Sequence, residues 1–160
     1  MVCGAVSARG KSSLIVVDPQ KVKVDAAEYQ RVLRKLLPSV RRLYDQEEYI
    51  WVQDSAPSHR ANSTQTFLTE SVPAFVPSEA WPPNSPDVNP LDYHVWGELR
   101  ERVYRGRSAA FASLDELEAA AKTAWREISQ KNINKAIDRF LGRLSLVAEA
   151  EGGPIQHLAR

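Results

Sequence analysis

The chain has 160 residues, of which 43% are hydrophobic and 26% charged, and 21 basic against 20 acidic residues give a formal net charge of +1. The length is typical of one domain, and the near-neutral balance argues against a polybasic tail binder without excluding a local patch for phosphate. The single cysteine, Cys3, excludes an intrachain disulfide and a cysteine-based zinc site, and no apolar stretch approaches the roughly 20 residues that span a bilayer. We therefore expect a globular domain of the cytosol or nucleus.

The first half of the chain opens on two short apolar runs. Residues 1–6 and 13–18 are rich in β-formers and are separated by polar residues, which predicts a hairpin. From Asp25 the apolar period becomes helical, and Asp25 with Glu28 resembles a capping box. Pro38 is expected to interrupt or end this helix, because proline removes a backbone donor.

The middle of the chain predicts a strand, a helix and a second strand. The string YIWVQD at 49–54 indicates a buried strand that ends in an aspartate. Residues 60–70 favour a helix, and 73–77 favour a short strand. Prolines crowd the segment 77–91, which we expect to form an ordered loop.

Three amphipathic segments complete the chain. A helix is predicted to begin near Asp92, and a second helix is capped by Ser113. The order of elements predicts an α/β domain over residues 1–150, with a mixed sheet flanked by helices, and a flexible tail over 151–160. The third helix carries its apolar side chains at Ile133, Ala136, Ile137, Phe140, Leu141 and Leu144.

Two aspartates stand where a carboxylate could serve chemistry. Asp54 ends a strand whose ladder would fix it at a sheet edge, and Asp92 starts a helix whose N-terminus stabilises an ionised carboxylate. Two such hard oxygen ligands could hold a pair of Mg²⁺ ions about 3.5–4 Å apart for phosphodiester cleavage. Each aspartate also has a structural interpretation, as the cap of a turn or of a helix. Spacing alone does not choose between these interpretations.

Two long motifs point to a family. WVQDSAPSHRANSTQTFL and SEAWPPNSPDVNPLDYHVWGELRERV strongly resemble the catalytic core of mariner-like DNA transposases, which belong to the ribonuclease H-like superfamily. Asp54 matches the second and Asp92 the third aspartate of the family's acidic triad, and 37 residues separate them, as in one mariner subgroup. Asp87 matches a structural loop aspartate, and His59 matches a recurring histidine to which we assign no role.

The resemblance implies a DDE-type site for two Mg²⁺ or Mn²⁺ ions, held here by Asp54 and Asp92. The family's first aspartate lies on a strand that precedes the MVCGAVS strand, so we expect an N-terminally truncated, partial domain that lacks the first strand. Asp18 does not occupy the family position. Because a lost carboxylate removes ligands from both metals, we expect these 160 residues alone to cleave DNA poorly or not at all.

The function that the resemblance implies is metal-dependent DNA cleavage and strand transfer, that is, DNA transposition and integration in the nucleus. DNA is the expected partner, a homo-oligomer is allowed, and neither a membrane nor a small-molecule cofactor is expected. Arg9, Lys11 and Arg60 are candidates for backbone contacts, although a solvated surface explains each at least as well. An alternative is a domesticated or decayed non-enzymatic module that binds DNA or protein. A different ribonuclease H-like nuclease would require a third acid near Asp54 and Asp92.

Overall fold

The computed structural model describes residues 1–18, 20, 22–45, 47–83, 85–151, 153 and 155. Within these residues the strands are β1 (Val2–Cys3), β2 (Val6–Ser7), β3 (Gly10–Lys11), β4 (Ile15–Val16), β5 (Ile50–Trp51) and β6 (Ala74–Phe75). The helices are α1 (Ala26–Tyr44), α2 (Pro57–Arg60), α3 (Asn62–Ser71), α4 (Trp96–Tyr104), α5 (Leu114–Glu127), α6 (Gln130–Asp138) and α7 (Phe140–Glu149). None of these helices combines the length and the apolar character needed to cross a membrane.

The predicted hairpin is confirmed, with an interruption in the middle of its ladder. β1 pairs antiparallel with β4, and β2 with β3. Between the two pairs, the Ser12 N–H donates to the Ala5 carbonyl at 2.9 Å, and the Ser12 hydroxyl oxygen accepts from the Ala5 N–H at 2.8 Å. The indole N–H of Trp125 donates to the Ser12 carbonyl at 2.7 Å, which ties the hairpin to α5.

Helix α1 runs through its proline. Asp25 caps it as predicted, because its carboxylate accepts from the Glu28 N–H at 2.9 Å. The prediction that Pro38 interrupts or ends the helix is wrong. Pro38 lies on the exposed side, while Leu37 and Val40 on the other side remain buried, so packing offsets the lost backbone bond.

A first hydrophobic core lies between α1, α3 and the parallel pair β5–β6. The strand predicted at 73–77 appears as β6, and the helix predicted at 60–70 appears as α3, preceded by the separate short helix α2. The buried members of this core are Tyr29, Leu33, Leu36, Leu37, Val40, Trp51, Leu68 and Val72.

A second core joins the hairpin to α4, α5 and α6. Ser113 caps α5 as predicted, with its hydroxyl accepting from the Glu116 N–H at 3.1 Å. The expectation of one long final helix is wrong, since the chain breaks at Arg139 into α6 and α7. The break changes the phase of the apolar pattern, and Leu141 is consequently 71% exposed. The buried members of this core are Leu14, Val95, Leu99, Val103, Ala121, Ala124, Trp125, Ile128 and Ile133.

The proline-rich segment is ordered against α7. Trp81 and Val88 are buried there together with Val147 and Ile155. Asp87 is structural, as the resemblance implied, because its carboxylate accepts from the Ile155 N–H at 3.3 Å. Residues 152, 154 and 156–160 of the predicted flexible tail lie outside the described residues, so flexibility there stays a prediction.

Candidate functional site

Asp54 lies in the turn that follows β5. The prediction of a buried strand over 49–54 is wrong in length and in burial. β5 ends at Trp51, which is 8% exposed and packs into the first core, whereas Ile50 is 67% exposed. The Asp54 carboxylate accepts from the Ala56 N–H at 3.0 Å, so the turn-capping interpretation is confirmed. Asp54 can cap the turn and also bind a metal, because the cap engages only one of its two carboxylate oxygens.

His59 lies beside the same oxygen of Asp54. Helix α2 turns the chain back, so that His59 Nδ1 lies 2.6 Å from Asp54 Oδ1. The His59 ring stacks on Tyr29 of α1, with centroids 3.9 Å apart and planes inclined by 26°. The contact with His59 lowers the pKa of Asp54 most, and partial burial opposes it by raising the pKa. The Ala56 N–H lowers the pKa further. At neutral pH the Asp54 carboxylate is therefore ionised.

Gln53 anchors the backbone on both sides of this contact. Its side chain is buried, and its carbonyl oxygen accepts from the Tyr29 hydroxyl at 2.8 Å and from the Trp51 indole N–H at 3.1 Å. Its amide N–H donates to the His59 carbonyl at 3.2 Å, and Gln65 donates to the same carbonyl at 2.8 Å. Burial raises the pKa of Tyr29, so its hydroxyl stays a neutral donor. A network of buried polar groups thus fixes the strand end.

Asp92 is held by the backbone of a turn and by Asn89. It lies in the π-helical turn Leu91–Val95, which leads into α4. The expectation that Asp92 caps this helix is wrong, because Asn89 takes that role. The Asn89 side chain accepts from the Leu91 N–H at 3.1 Å, and the Asn89 carbonyl accepts from the Asp92 N–H at 2.9 Å. Val95, fully buried, anchors the other end of the turn.

The two carboxylates influence each other. The side chain of Asp92 is open to solvent, yet surrounding protein partly desolvates it, and this is the largest cause that raises its pKa. The negative charge of Asp54 is the next cause, and the Asn89 side chain opposes both. The fold thus brings Asp54 and Asp92 close enough to repel, across 37 intervening residues.

This arrangement fits a divalent cation. Two nearby carboxylates are hard oxygen ligands, and a cation between them would relieve their mutual repulsion. Within the residues that the structure describes, no group of three or more histidine, cysteine, aspartate or glutamate side chains is placed to hold a metal ion.

Among the described residues, no contact joins the candidate DNA-contacting residues to Asp54 or Asp92. Arg9 forms an ion pair with Glu47, and the Lys11 ammonium donates to the Arg126 carbonyl at 3.0 Å, near the end of α5. Arg60 is exposed on α2, and no ion pair or hydrogen bond of its side chain occurs within the described part of the chain. A DNA-contacting role for these three residues stays a prediction.

Sequence reasoning missed the supporting residues. The resemblance indicates His59 without a role, and no sequence pattern assigns a role to Tyr29 or Gln53. One signal was available for His59: it follows Asp54 by five residues across a proline, a spacing that allows the chain to turn back. Nothing local indicated the stacking on Tyr29, because α1 lies far away in sequence.

Curated relatives of this chain are transposases. No protein-family model matches it. The chain is 31% identical over 105 residues to the transposable element Tc1 transposase of Caenorhabditis elegans, an alignment that covers 65% of this chain and 36% of the relative. It is 26% identical over 159 residues to the transposable element Tcb2 transposase of Caenorhabditis briggsae, covering 98% of this chain and 54% of the relative. The chain thus spans between about a third and about half of the length of these relatives.

Solved structures similar to this one are those of a mariner transposase. The crystal structure of the catalytic domain of Mos1 mariner transposase matches with a TM-score of 0.78 at 23% identity, covering 96% of this chain and 74% of that chain. The Mos1 catalytic domain with Raltegravir and Mg matches with a TM-score of 0.79 at 22% identity, covering 96% and 75%. At this identity the likeness shows the fold, which is ribonuclease H-like. Together, the Tc1-type transposases among the curated relatives and the Mos1 catalytic domain among the solved structures support a mariner-like transposase catalytic domain.

Proposed function

We propose that Asp54 and Asp92 are two of the acidic ligands in a DDE-type site for metal-dependent DNA cleavage and strand transfer. The observation that carries this proposal is the effect of the Asp54 charge on Asp92, whose pKa is raised first by desolvation and next by that charge. Mg²⁺ or Mn²⁺ is the expected metal, and Mos1 catalytic-domain structures have been determined with each. Both aspartates lie in the two motifs that resemble those of transposases, which supports their assignment to one site.

The chain's own residues would prepare the site in distinct ways. His59 and the Ala56 N–H orient Oδ1 of Asp54 and keep the carboxylate ionised. The turn anchored by Asn89 presents Asp92 beside it. When bound, divalent ions supply activation of a water or a 3′-hydroxyl for attack on phosphate and stabilise the leaving oxygen. Preorganisation of this kind matters because loosely held ligands lose catalytic power.

DNA is the proposed substrate, and the proposed location is the nucleus. Solved Mos1 assemblies include a paired-end complex with the left transposon end and a strand transfer complex. The same likeness in fold supports transposon-end DNA as the ligand of this chain, and a homo-oligomer is a further part of the proposal.

A nicking assay tests the proposed function. Residues 1–160 alone are expected to nick supercoiled plasmid poorly or not at all in Mg²⁺ or Mn²⁺, because two carboxylates hold the metals loosely. A chimera that carries the corresponding Mos1 segment, with its first-strand aspartate, before Met1 is expected to gain nicking. Asp54→Asn or Asp92→Asn should then abolish it, and the exposed control Asp138→Asn should not.

Two results would count against the proposal. A chimera that nicks DNA equally well with and without Asp54 would place the chemistry elsewhere. A folded chimera that binds DNA, fails to nick it, and shows the same metal affinity after Asp54→Asn would favour the non-enzymatic binding module.

A further inference from the structure

The exposed face of α1 is basic along most of its length. Six residues between positions 31 and 42 are exposed, and five of them are cations. The opposite side of the helix is buried in the first core. In a chain with a formal net charge of only +1, this is a strong local concentration of positive charge. The exposed residues, which we call the basic face of α1, are Arg31, Arg34, Lys35, Pro38, Arg41 and Arg42.

The cations form a single stripe. Arg31 is separated from Arg34 and Lys35 by three and four residues, and these two are separated from Arg41 and Arg42 by seven, which places all five cations on one side of the helix. At 1.5 Å per residue the stripe is about 16 Å long, and a strand of B-DNA presents a phosphate every roughly 3.4 Å of its axis. The length and periodicity of the basic face of α1 therefore suit a run of several phosphates.

Contacts within the protein orient part of the stripe without neutralising most of it. Arg31 pairs with Glu28 at 2.5 Å, and Glu28 is the only acidic residue in α1. The Arg34 guanidinium lies over the Phe67 ring, 4.5 Å from its centroid, a contact that holds the side chain and leaves its charge intact. Arg34 is thus presented outward as a cation.

The rest of the stripe is open. Arg41 donates to the Ser71 carbonyl at 2.9 Å, which again leaves its charge uncompensated. Within the described residues, neither Lys35 nor Arg42 has a hydrogen bond or ion pair. Acidic side chains border both ends of the stripe. Glu28 pairs with Arg31 at the N-terminal end. At the C-terminal end, a shallow depression beside Arg41 and Arg42 is lined by Asp45, Glu47 and Glu70. The centre of the stripe, at Arg34 and Lys35, is its most uniformly positive part.

We propose that the basic face of α1 binds the phosphate backbone of duplex DNA at a place separate from the candidate active site. Tyr29, which stacks on His59 beside Asp54, projects from the buried side of α1, opposite the stripe. A duplex on the stripe is therefore a different segment from the one at the two aspartates. The proposal rests on the proposed function in that DNA is the polyanion, and phosphate contacts require no particular sequence.

Fluorescence anisotropy of a labelled duplex of random sequence tests this binding. The titration is run in EDTA and with Asp54→Asn in the background, so that neither metal binding nor cleavage contributes. We expect Arg34→Gln with Lys35→Gln to weaken binding about five- to tenfold near 100 mM salt, and to lower the slope of log K against log salt by about 1 to 2. The matched control is Lys131→Gln with Lys135→Gln, which removes two exposed cations from α6 and should change affinity less than about twofold.

Three results would overturn the proposal: no binding by the parent protein, no weakening by the α1 pair, or equal weakening by the α6 pair. The last would mean that net charge alone governs binding. Thermal unfolding of both pairs checks that the fold is intact, because exposed substitutions of this kind shift stability by no more than about 0.5 kcal/mol. Since no metal or cleavage enters the assay, these outcomes are independent of the nicking test.

Discussion

The two candidate carboxylates are held in opposite ways. Asp54 follows β5 and lies 2.6 Å from the His59 side chain, whose backbone carbonyl accepts from Gln53. Asp92 lies in a π-helical turn held by backbone bonds and by Asn89, and no cation faces it at comparable distance among the described contacts. The pKa of Asp54 is lowered, and the pKa of Asp92 is raised.

The difference shows how a site can be stable and still favour a ligand. The lowered pKa of Asp54 means that its ionised carboxylate stabilises the folded chain. The raised pKa of Asp92 means that its ionised carboxylate destabilises the metal-free folded chain. A bound cation would offset this destabilisation. The repulsion between the two carboxylates therefore makes the free energy of metal binding more favourable. Asp92, whose pKa is raised, is therefore expected to gain more from a bound cation than Asp54.

The largest effect is expected from the strand that carries Asp54. Trp51→Ala removes a side chain that is 8% exposed and its donor to Gln53, and should lower the free energy of unfolding by about 3–5 kcal/mol. Val52→Ala, at a position 41% exposed, is the control and should cost no more than about 0.5 kcal/mol. Urea unfolding of both variants measures this. Similar small losses in the two would show that the Asp54 side is not rigidly anchored.

A smaller effect is expected from the turn that carries Asp92. Asn89→Ala removes the acceptor for the Leu91 N–H and should cost about 1 kcal/mol of stability. It should also raise the pKa of Asp92 further, because the Asn89 side chain favours the ionised carboxylate. Carbon-detected NMR titration of the aspartate carboxyl groups measures the shift. An Asp92 pKa that falls in this variant would contradict the assigned role of Asn89.

The smallest effects should have opposite signs. At neutral pH in EDTA, Asp92→Asn should stabilise the fold and Asp54→Asn should destabilise it, each by less than about 1 kcal/mol because both groups are substantially exposed to screening solvent. Because the pKa of Asp92 is raised, its carboxylate increasingly lowers the free energy of unfolding as pH rises from the ordinary pKa of about 3.9 through the higher pKa of the folded state. Because the pKa of Asp54 is lowered, its contribution to the free energy of unfolding is lost as pH falls from the ordinary pKa through the lower pKa of the folded state.

Unfolding free energies measured across acidic and neutral pH distinguish the two cases. The gain from Asp92→Asn should vanish in acid, where the wild-type carboxyl is protonated in both states. Losses of equal sign and size for the two variants would contradict the contrast between the sites.

Local signals in the sequence predicted local structure well. The caps at Asp25 and Ser113 and the hairpin at the N-terminus follow from residue types within a few positions of each other. The two aspartates were placed in one site only through the long motifs around them, because each alone fits a cap. The fold brings them together through packing that no local pattern specifies.

The errors arose where tertiary packing overrides a local rule. Pro38 is tolerated because the packed side of α1 continues past it. The apolar period persists across Arg139 although the helix breaks there, and each half packs against a different core. The role of His59 depends on Tyr29, which is 30 positions away, and a contact of that range carries no local signature.

The most direct test of the shared metal site is paramagnetic broadening by Mn²⁺ in amide NMR spectra of residues 1–160. We expect the signals of Asp54 and Ala56 to broaden at the same Mn²⁺ concentration as those of Asp92 and Tyr93, because one ion contacts both carboxylates. Asp54→Asn and Asp92→Asn should each abolish the broadening at both places, and Asp138→Asn should leave it unchanged. Broadening confined to one of the two segments, or retained at both after either site substitution, would contradict a metal site shared by Asp54 and Asp92.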